Sequence, residues 1–169
     1  RTAPRRQAGG IGMKKILVTG GAGFIGTALV RRLRRMDLQV TVLDLPGAAP
    51  PEAGVRFVEH DVSQPLLELP EFDTCFHLAA VSRPALCAAD PTRADKVNRG
   101  GTLRMLVRCS NVGAKLVYTS SCAAAQPELN AYALTKCAGE DLSAAHGENF
   151  LKVAVARLFN LYGPGEPHC

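Results

Sequence analysis

Tyr132 and Lys136 are the residues in this chain best suited to moving a proton on an alcohol. They stand four apart in a stretch with helical character, so both project from one face. An ammonium beside a phenol favours the phenolate and draws its pKa from about 10 toward neutrality. The phenol then becomes a usable acid and base for alcohol–ketone interconversion. Ser121 ends a preceding β-branched run, Lys115 to Thr119, and its hydroxyl can reach the same substrate oxygen. The spacing YxxxK by itself is nearly noise. It gains weight from a second set of residues far upstream.

That set begins with Gly20, Gly23 and Gly26, with Gly21 giving an overlapping GxGxxG frame. Ile16, Leu17 and Val18 before them read as a short buried strand, and Ile25, Leu29, Leu33 and Met36 recur at helical spacing. Strand, tight glycine turn and helix form the setting in which a pyrophosphate can approach backbone N–H groups at the positive end of a helix dipole. The bland alternative is a close-packed strand–helix turn. Asp44 closes the next strand, Gln39 to Leu43, 18 residues after Gly26. There a carboxylate accepts both hydroxyls of an adenosine ribose and repels a 2′-phosphate. Leu45 and Pro46 follow with no arginine beside them, so NAD is favoured over NADP; a turn aspartate before Pro46-Gly47 is the alternative reading.

These groups must be held by an α/β framework. Six short apolar strands are predicted, near 16–18, 39–43, 55–58, 73–80, 115–119 and 152–157, and alternate with helices, although the Pro/Gly/Ala stretch 46–54 leaves no room for a long helix. The pattern implies right-handed crossovers and a Rossmann-type doubly wound parallel sheet, three layers deep. A helix is predicted from Asp90-Pro91 to about Cys109, with Gly100-Gly101 inside it packed closely against a neighbour. Another runs from an Asn130 cap to about Ala145, closed by Gly147. His77 reads as a strand-end histidine held by hydrogen bonds. Glu140 reads as an exposed ion-pair partner of Lys136 rather than a catalytic acid.

At 169 residues the chain fits one domain. Residues 1–12 are expected to be a disordered extension, and 13–169 an NAD(P)-binding Rossmann domain. The formal charge is +5, but Arg1, Arg5 and Arg6 lie in that extension, and the remainder argues for no nucleic-acid partner. Arg31, Arg32, Arg34 and Arg35 read as a solvated face near a helix C-terminus. No apolar run reaches membrane-spanning length. The six cysteines have neither CxxC pairing nor metal spacing with the four histidines. That usage fits small buried residues in a reducing, cytoplasmic compartment, and no metal is expected.

The segments TGGAGFIG (19–26), Asp44, Asp61-Val62, HLAA (77–80), DPxxxxxxNxxGT (90–102), TSS (119–121), YALTK (132–136) and RLFNLYGPG (157–165) stand in the order of the extended short-chain dehydrogenase/reductases. Among these the chain resembles the NAD-dependent epimerase/dehydratase family acting on nucleotide sugars. The resemblance implies that Gly20, Gly23, Phe24, Ile25 and Gly26 hold the pyrophosphate and Asp44 the adenosine ribose. It sets Asp61 and Val62 by the adenine, Leu78, Ala79 and Ala80 along the cofactor, and Tyr132 and Lys136 at its nicotinamide end. Ser121, Tyr132 and Lys136 become the catalytic set, with Ser121 also touching substrate and Asn160 on the substrate's phosphate side. The implied activity is that of a UDP-glucose 4-epimerase-like enzyme, with a dehydrogenase/reductase, a dehydratase or a non-catalytic NAD-binding module as alternatives. Dimerisation through the helices near 92–109 and 130–146 follows by analogy.

Two features depart from the family pattern. Ser121 and Tyr132 are only eleven apart, so a loop on the substrate side is shortened. Cys122-Ala123 stands where dehydratases of the family carry an Asp-Glu pair, which disfavours elimination. Extended members are also about twice this length, in keeping with a second domain. The chain is therefore expected to be an amino-terminal portion or a reduced relative, without most of the substrate domain.

Overall fold

Leu17 and Val18 point to opposite faces of one strand, and both are wholly buried. A strand buried on two sides must lie inside a sheet covered by helices on each face. The computed structural model, which describes residues 14–65, 68–149 and 152–165, shows that arrangement. The first strand, β1 (Lys15–Thr19), lies between β2 (Gln39–Asp44) and β4 (Thr74–His77). With β3 (Arg56–Glu59), β5 (Lys115–Ser121) and β6 (Val153–Leu158), the sheet has the order β3-β2-β1-β4-β5-β6. Every pairing is parallel. The strand order reverses between β1 and β4, so a crevice opens outside their carboxyl ends.

Two apolar clusters form the core, one on each face. Ile16, Val18, Val40 and Val42 pack under Val30 and Leu33 of α1 (Phe24–Arg34). Leu17, Leu43, Cys75, Leu116 and Tyr118 pack on the other face against Met105, Leu106 and Cys109 of α4 (Gly101–Val112). Each fully buried aliphatic side chain contributes about 2 kcal/mol. The buried stripe of α1 is Gly26, Val30 and Leu33, displaced from the one that the apolar spacing suggests. Ile25 sits at the rim, and Met36 lies exposed beyond the helix end.

The alternation of strands and helices is less regular than expected. Only three of the five connections carry helices among the described residues. Segment 45–55 contains Pro46, Pro50 and Pro51, which deny a helix its backbone donors. The β4–β5 connection is instead the richest. It holds α2 (Pro84–Ala89), α3 (Pro91–Asp95), a π-helical turn Lys96–Gly100, and α4. The predicted single helix is thus interrupted, and α2, opened by Pro84 in its first turn, precedes it unforeseen. Asp90 caps α3 by accepting from Arg93 N at 2.9 Å. Gly101 lies where an added Cβ would come within 2.9 Å of Val62, so that glycine permits helix and loop to touch. Helix α5 (Ala131–Asn149) starts on Asn130, whose Oδ1 accepts from Ala133 N at 2.9 Å. It continues past Gly147, since one glycine costs a helix only about 1 kcal/mol. The expected extension at residues 1–12 lies outside the described residues.

The glycine turn is set by contact as well as by torsion. A Cβ on Gly26 would collide with Gly20 O and lie 2.6 Å from Gly21 Cα. Gly26→Ala, although it adds helix propensity, is therefore expected to destabilise the fold by roughly 2 kcal/mol, the scale of overpacking a tight site. Urea denaturation of the two proteins measures it.

Candidate active site

Thr19, at the carboxyl end of β1, starts a buried chain of hydrogen bonds that reaches α5. Its Oγ1 lies 2.7 Å from His77 Nδ1 and accepts from Ala79 N at 3.3 Å. Thr102 Oγ1 gives its one proton to Asn98 O at 2.5 Å. His77 Nε2, 3.1 Å from that hydroxyl, must therefore be its donor. Nδ1 of the neutral ring then accepts from the Thr19 hydroxyl. Burial holds His77 at a pKa of about 3, so the ring stays neutral and serves as a strut. The side chain of Asn98, in the π-helical turn, grips Val81 from both sides. Oδ1 accepts from Val81 N at 2.7 Å, while Nδ2 donates to Val81 O at 3.1 Å and to Thr135 Oγ1 at 3.0 Å. Thr135 Oγ1 donates to Tyr132 O at 2.9 Å. One polar chain therefore ties the glycine turn, the loop after β4 and the helix bearing Tyr132.

Along the strand ends runs a cleft of ≈ 650 Å³. Gly20, Gly23, Phe24, Ile25 and Gly26 line it, as do Asp44, Asp61, Val62, Leu78, Ala79 and Ala80. The upstream residues that the resemblance assigned to the cofactor thus line one space, whereas Gly21 and His77 are buried outside it. Gly20 has φ +70, and its missing side chain leaves room for Ala79 N, which a Cβ would approach to 2.7 Å. At the head of α1, Gly23 is exposed and no side chain caps the helix, so its first-turn N–H groups are open to an anion. Asp44 accepts from Ala22 N and Leu45 N, both at 2.8 Å, and so ties the glycine turn to β2 while lining the cleft. Asp61 accepts from Ser63 N at 2.8 Å. These residues fit a dinucleotide: an uncapped helix end for phosphate, a strand-end carboxylate for ribose, and small side chains where a ligand lies against backbone.

Tyr132, Lys136 and Ser121 sit beside this space rather than in its lining. Lys136 is 5% exposed and donates from Nζ to Thr119 O at 2.7 Å, and Thr119 lines the cleft. Its ammonium lies 5.2 Å from the ring centre of Tyr118 and 5.9 Å from that of Tyr132. Burial lowers the Lys136 pKa to about 8. Burial also raises the Tyr132 phenol above its ordinary value, with a hydrogen bond from Ser121 opposing the shift. The expected lowering of the phenol by the lysine is therefore absent here. Both groups lose solvation, and the lysine is turned to a carbonyl. Ser121 Oγ accepts from Ala123 N at 3.2 Å in the first of two short 3₁₀ turns, Cys122–Ala125 and Pro127–Leu129, that fill the shortened loop.

Glu140 does not pair with Lys136, contrary to expectation. It accepts from Ser120 Oγ at 2.5 Å and binds Arg157 in a two-pronged pair at 2.7 and 2.5 Å. A guanidinium fork matches a carboxylate better than a buried lysine does, and the pair joins β5, α5 and β6. Asn160 is exposed on the loop after β6, outside the cleft lining. The same loop comes close to the glycine turn, where a Cβ on Gly163 would lie 3.9 Å from Phe24 Cζ. The lining also includes His60, Ser82, Arg83 and Arg93, which sequence reasoning did not select. Asn98 was missed as a structural pivot, although NxxGT stood among the recognised segments.

Comparison with known proteins agrees with this geometry. A family model described as the NAD dependent epimerase/dehydratase family matches residues 16–168. UDP-glucuronic acid decarboxylase 3 of Arabidopsis thaliana is 33% identical over 89% of this chain and 52% of its own length. Among solved structures, the NAD dependent NDP-hexosamine 5,6-dehydratase TunA, involved in tunicamycin biosynthesis, superposes with a TM-score of 0.81. It is 32% identical, over 91% of this chain and 57% of that one. The Bordetella bronchiseptica enzyme WbmF, in complex with NAD+ and UDP, gives 0.82 at 31% identity, over 90% and 51%. The chain spans about half the length of the curated relatives it matches. Among the described residues no group of acidic, histidine or cysteine side chains could hold a metal ion, and no helix is long and apolar enough to cross a membrane.

Lys136 sets up a measurable conflict between site and stability. Its pKa falls from 10.5 unfolded to about 8 folded, so the folded state resists the charged form. The penalty is complete below pH 8 and fades as pH rises toward 10.5. Lys136→Met should therefore stabilise the fold by up to about 3 kcal/mol at pH 7 and by little near pH 10.5. Urea melts of both proteins at the two pH values test this, and equal melts at pH 7 would refute it.

Proposed function

The chain belongs to the NAD-dependent epimerase/dehydratase family, and from that premise we propose that it serves as a nucleotide-sugar epimerase of the UDP-glucose 4-epimerase type. The observation carrying this reading is that an uncapped helix end, the Asp44 carboxylate and the Tyr132–Lys136 pair lie along the carboxyl ends of one parallel sheet. In this reading the glycine turn (Gly20, Gly23, Phe24, Ile25, Gly26) holds the cofactor's pyrophosphate and Asp44 its adenosine ribose. Asp61 and Val62 flank the adenine, and Leu78, Ala79 and Ala80 lie along the cofactor toward Tyr132 and Lys136. Bound NAD supplies a hydride acceptor.

Tyr132 takes the proton of a sugar hydroxyl as hydride leaves the same carbon, which yields a keto sugar. Ser121 holds the reacting oxygen. In this reading Lys136, still largely protonated at neutral pH, turns from the Thr119 carbonyl to favour the phenolate and meet the nicotinamide ribose. Asn160 is assigned to the substrate's phosphate side. A keto sugar that turns over and is reduced on its other face leaves as the epimer. A second reading, loss of carbon dioxide after the same oxidation, is favoured by the 33% identity to a UDP-glucuronic acid decarboxylase.

The same proposal has residues 13–169 acting as one NAD-binding domain in the cytoplasm. It also has the chain forming a homodimer through the outer faces of α4 and α5, where Leu103, Val107 and Leu134 are 39%, 44% and 58% exposed.

Calorimetry with NAD should show binding that Asp44→Ala weakens about tenfold, the scale of one lost charge-assisted hydrogen-bond set, and NADP should bind more weakly than NAD. Unaltered affinity in the variant would remove Asp44 from the cofactor site. Incubation with UDP-glucose and, separately, UDP-glucuronic acid, followed by NMR of the products, separates the two chemistries. An epimer without net NADH supports the first reading, and carbon dioxide release the second. In either case Tyr132→Phe should slow turnover by about 10²–10⁴, the usual contribution of a positioned acid/base.

A further inference from the structure

Arg83 and Arg93 line the cleft, and neither side chain takes part in the hydrogen-bond chain beneath it. Both are exposed, and among the described residues neither guanidinium has a carboxylate partner. The acids beside them in the chain are occupied. Asp90 accepts from the backbone N–H of Arg93 at 2.9 Å, and Asp95 binds Arg99 at 2.7 Å. The backbone carrying Arg83 is well fixed. Pro84 holds Arg83 extended at φ −91 and ψ 121, the buried Cys87 donates from Sγ to Val81 O at 3.2 Å, and Asn98 clasps Val81.

The cleft is polarised as a result. Asp44 and Asp61 belong to the β2–β3 side of the sheet, whereas the two arginines stand beyond β4, on the other side of β1. A ligand suited to this space carries neutral hydroxyls at the acidic side and negative charge toward the arginines. We propose that Arg83 and Arg93 form an anion-recognising pair on the lip of the cleft, and that the anion is the diphosphate of a bound nucleotide. The inference rests on the reading of the cleft as a nucleotide site and adds to it the residues that grip the charge. Guanidinium forks match phosphate oxygens in pairs, which lysine cannot do. The diphosphate can come from the dinucleotide or from a nucleotide sugar, and the chemistry of recognition is the same.

The test compares the native chain with Arg83→Gln, Arg93→Gln and the double variant by calorimetry. Three probes are used: NAD, UDP added to the NAD-saturated protein, and adenosine as a phosphate-free control. The double variant is expected to lose about tenfold in affinity for a diphosphate ligand, with adenosine binding and melting temperature unchanged. Its residual affinity should also depend less on salt. Arg83→Lys should recover only part of the loss. A loss confined to NAD identifies the cofactor's pyrophosphate as the partner, and a loss confined to UDP identifies the substrate's. Native affinity of the double variant for both would overturn the pair while leaving the nucleotide site standing. A native chain that binds neither NAD nor adenosine would instead overturn the nucleotide reading, and the pair with it.

Discussion

The site depends on one run of buried hydrogen bonds, from Thr19 through His77 and Thr102 to Asn98 and Thr135. The hydroxyl of Thr102 has one proton to give, and Asn98 O takes it. That donation requires a proton on His77 Nε2, and burial keeps the ring neutral, so Nδ1 accepts from Thr19. The run begins under the glycine turn and ends one residue from Lys136, so it sets the cofactor side of the cleft against Tyr132. Buried polar groups are costly unless all are satisfied, which makes such a chain a strong constraint on relative position.

Asn98 is the pivot of that arrangement. It stands in a π-helical turn, the kind of irregularity that helices keep at functional positions. With Oδ1 and Nδ2 both on Val81, Asn98 behaves as a third strand edge for the loop after β4. The small residues Ala79 and Ala80, which line the cleft, therefore hang between two fixed points, Thr19 and Val81. Lys136 shows the opposite economy. Among the described residues it is buried with a carbonyl and two aromatic faces but no carboxylate, an arrangement that weakens the fold while keeping an ammonium close to a phenol.

Much of this was legible from residue order. GGAGFIG after an apolar run, Asp44 at the end of the next strand, and strand after strand of β-branched residues identified a parallel α/β sheet with its cleft at the carboxyl ends. The Asn130 cap was legible too, because capping is a local matter of one side chain and the next turn. Less regular features were not. The helix after Asp90 was foreseen as continuous, since spacing of apolar residues does not reveal a π-helical turn. The stripe on α1 was shifted because Gly26 faces the sheet and contributes no hydropathy. Glu140 was matched to Lys136 at helical spacing, although its partner Arg157 arrives from another strand.

The division follows from the range of the forces involved. Local sequence determined which segments extend or coil, where the chain turns, and which residue types stand at the strand ends, because torsional preference and apolar period act over a few residues. Only the tertiary structure decided the protonation preferences of Tyr132 and Lys136, the polarity of the cleft and the partners of Glu140. Those depend on burial and on groups brought together from distant positions, and desolvation has no signature in the order of residues.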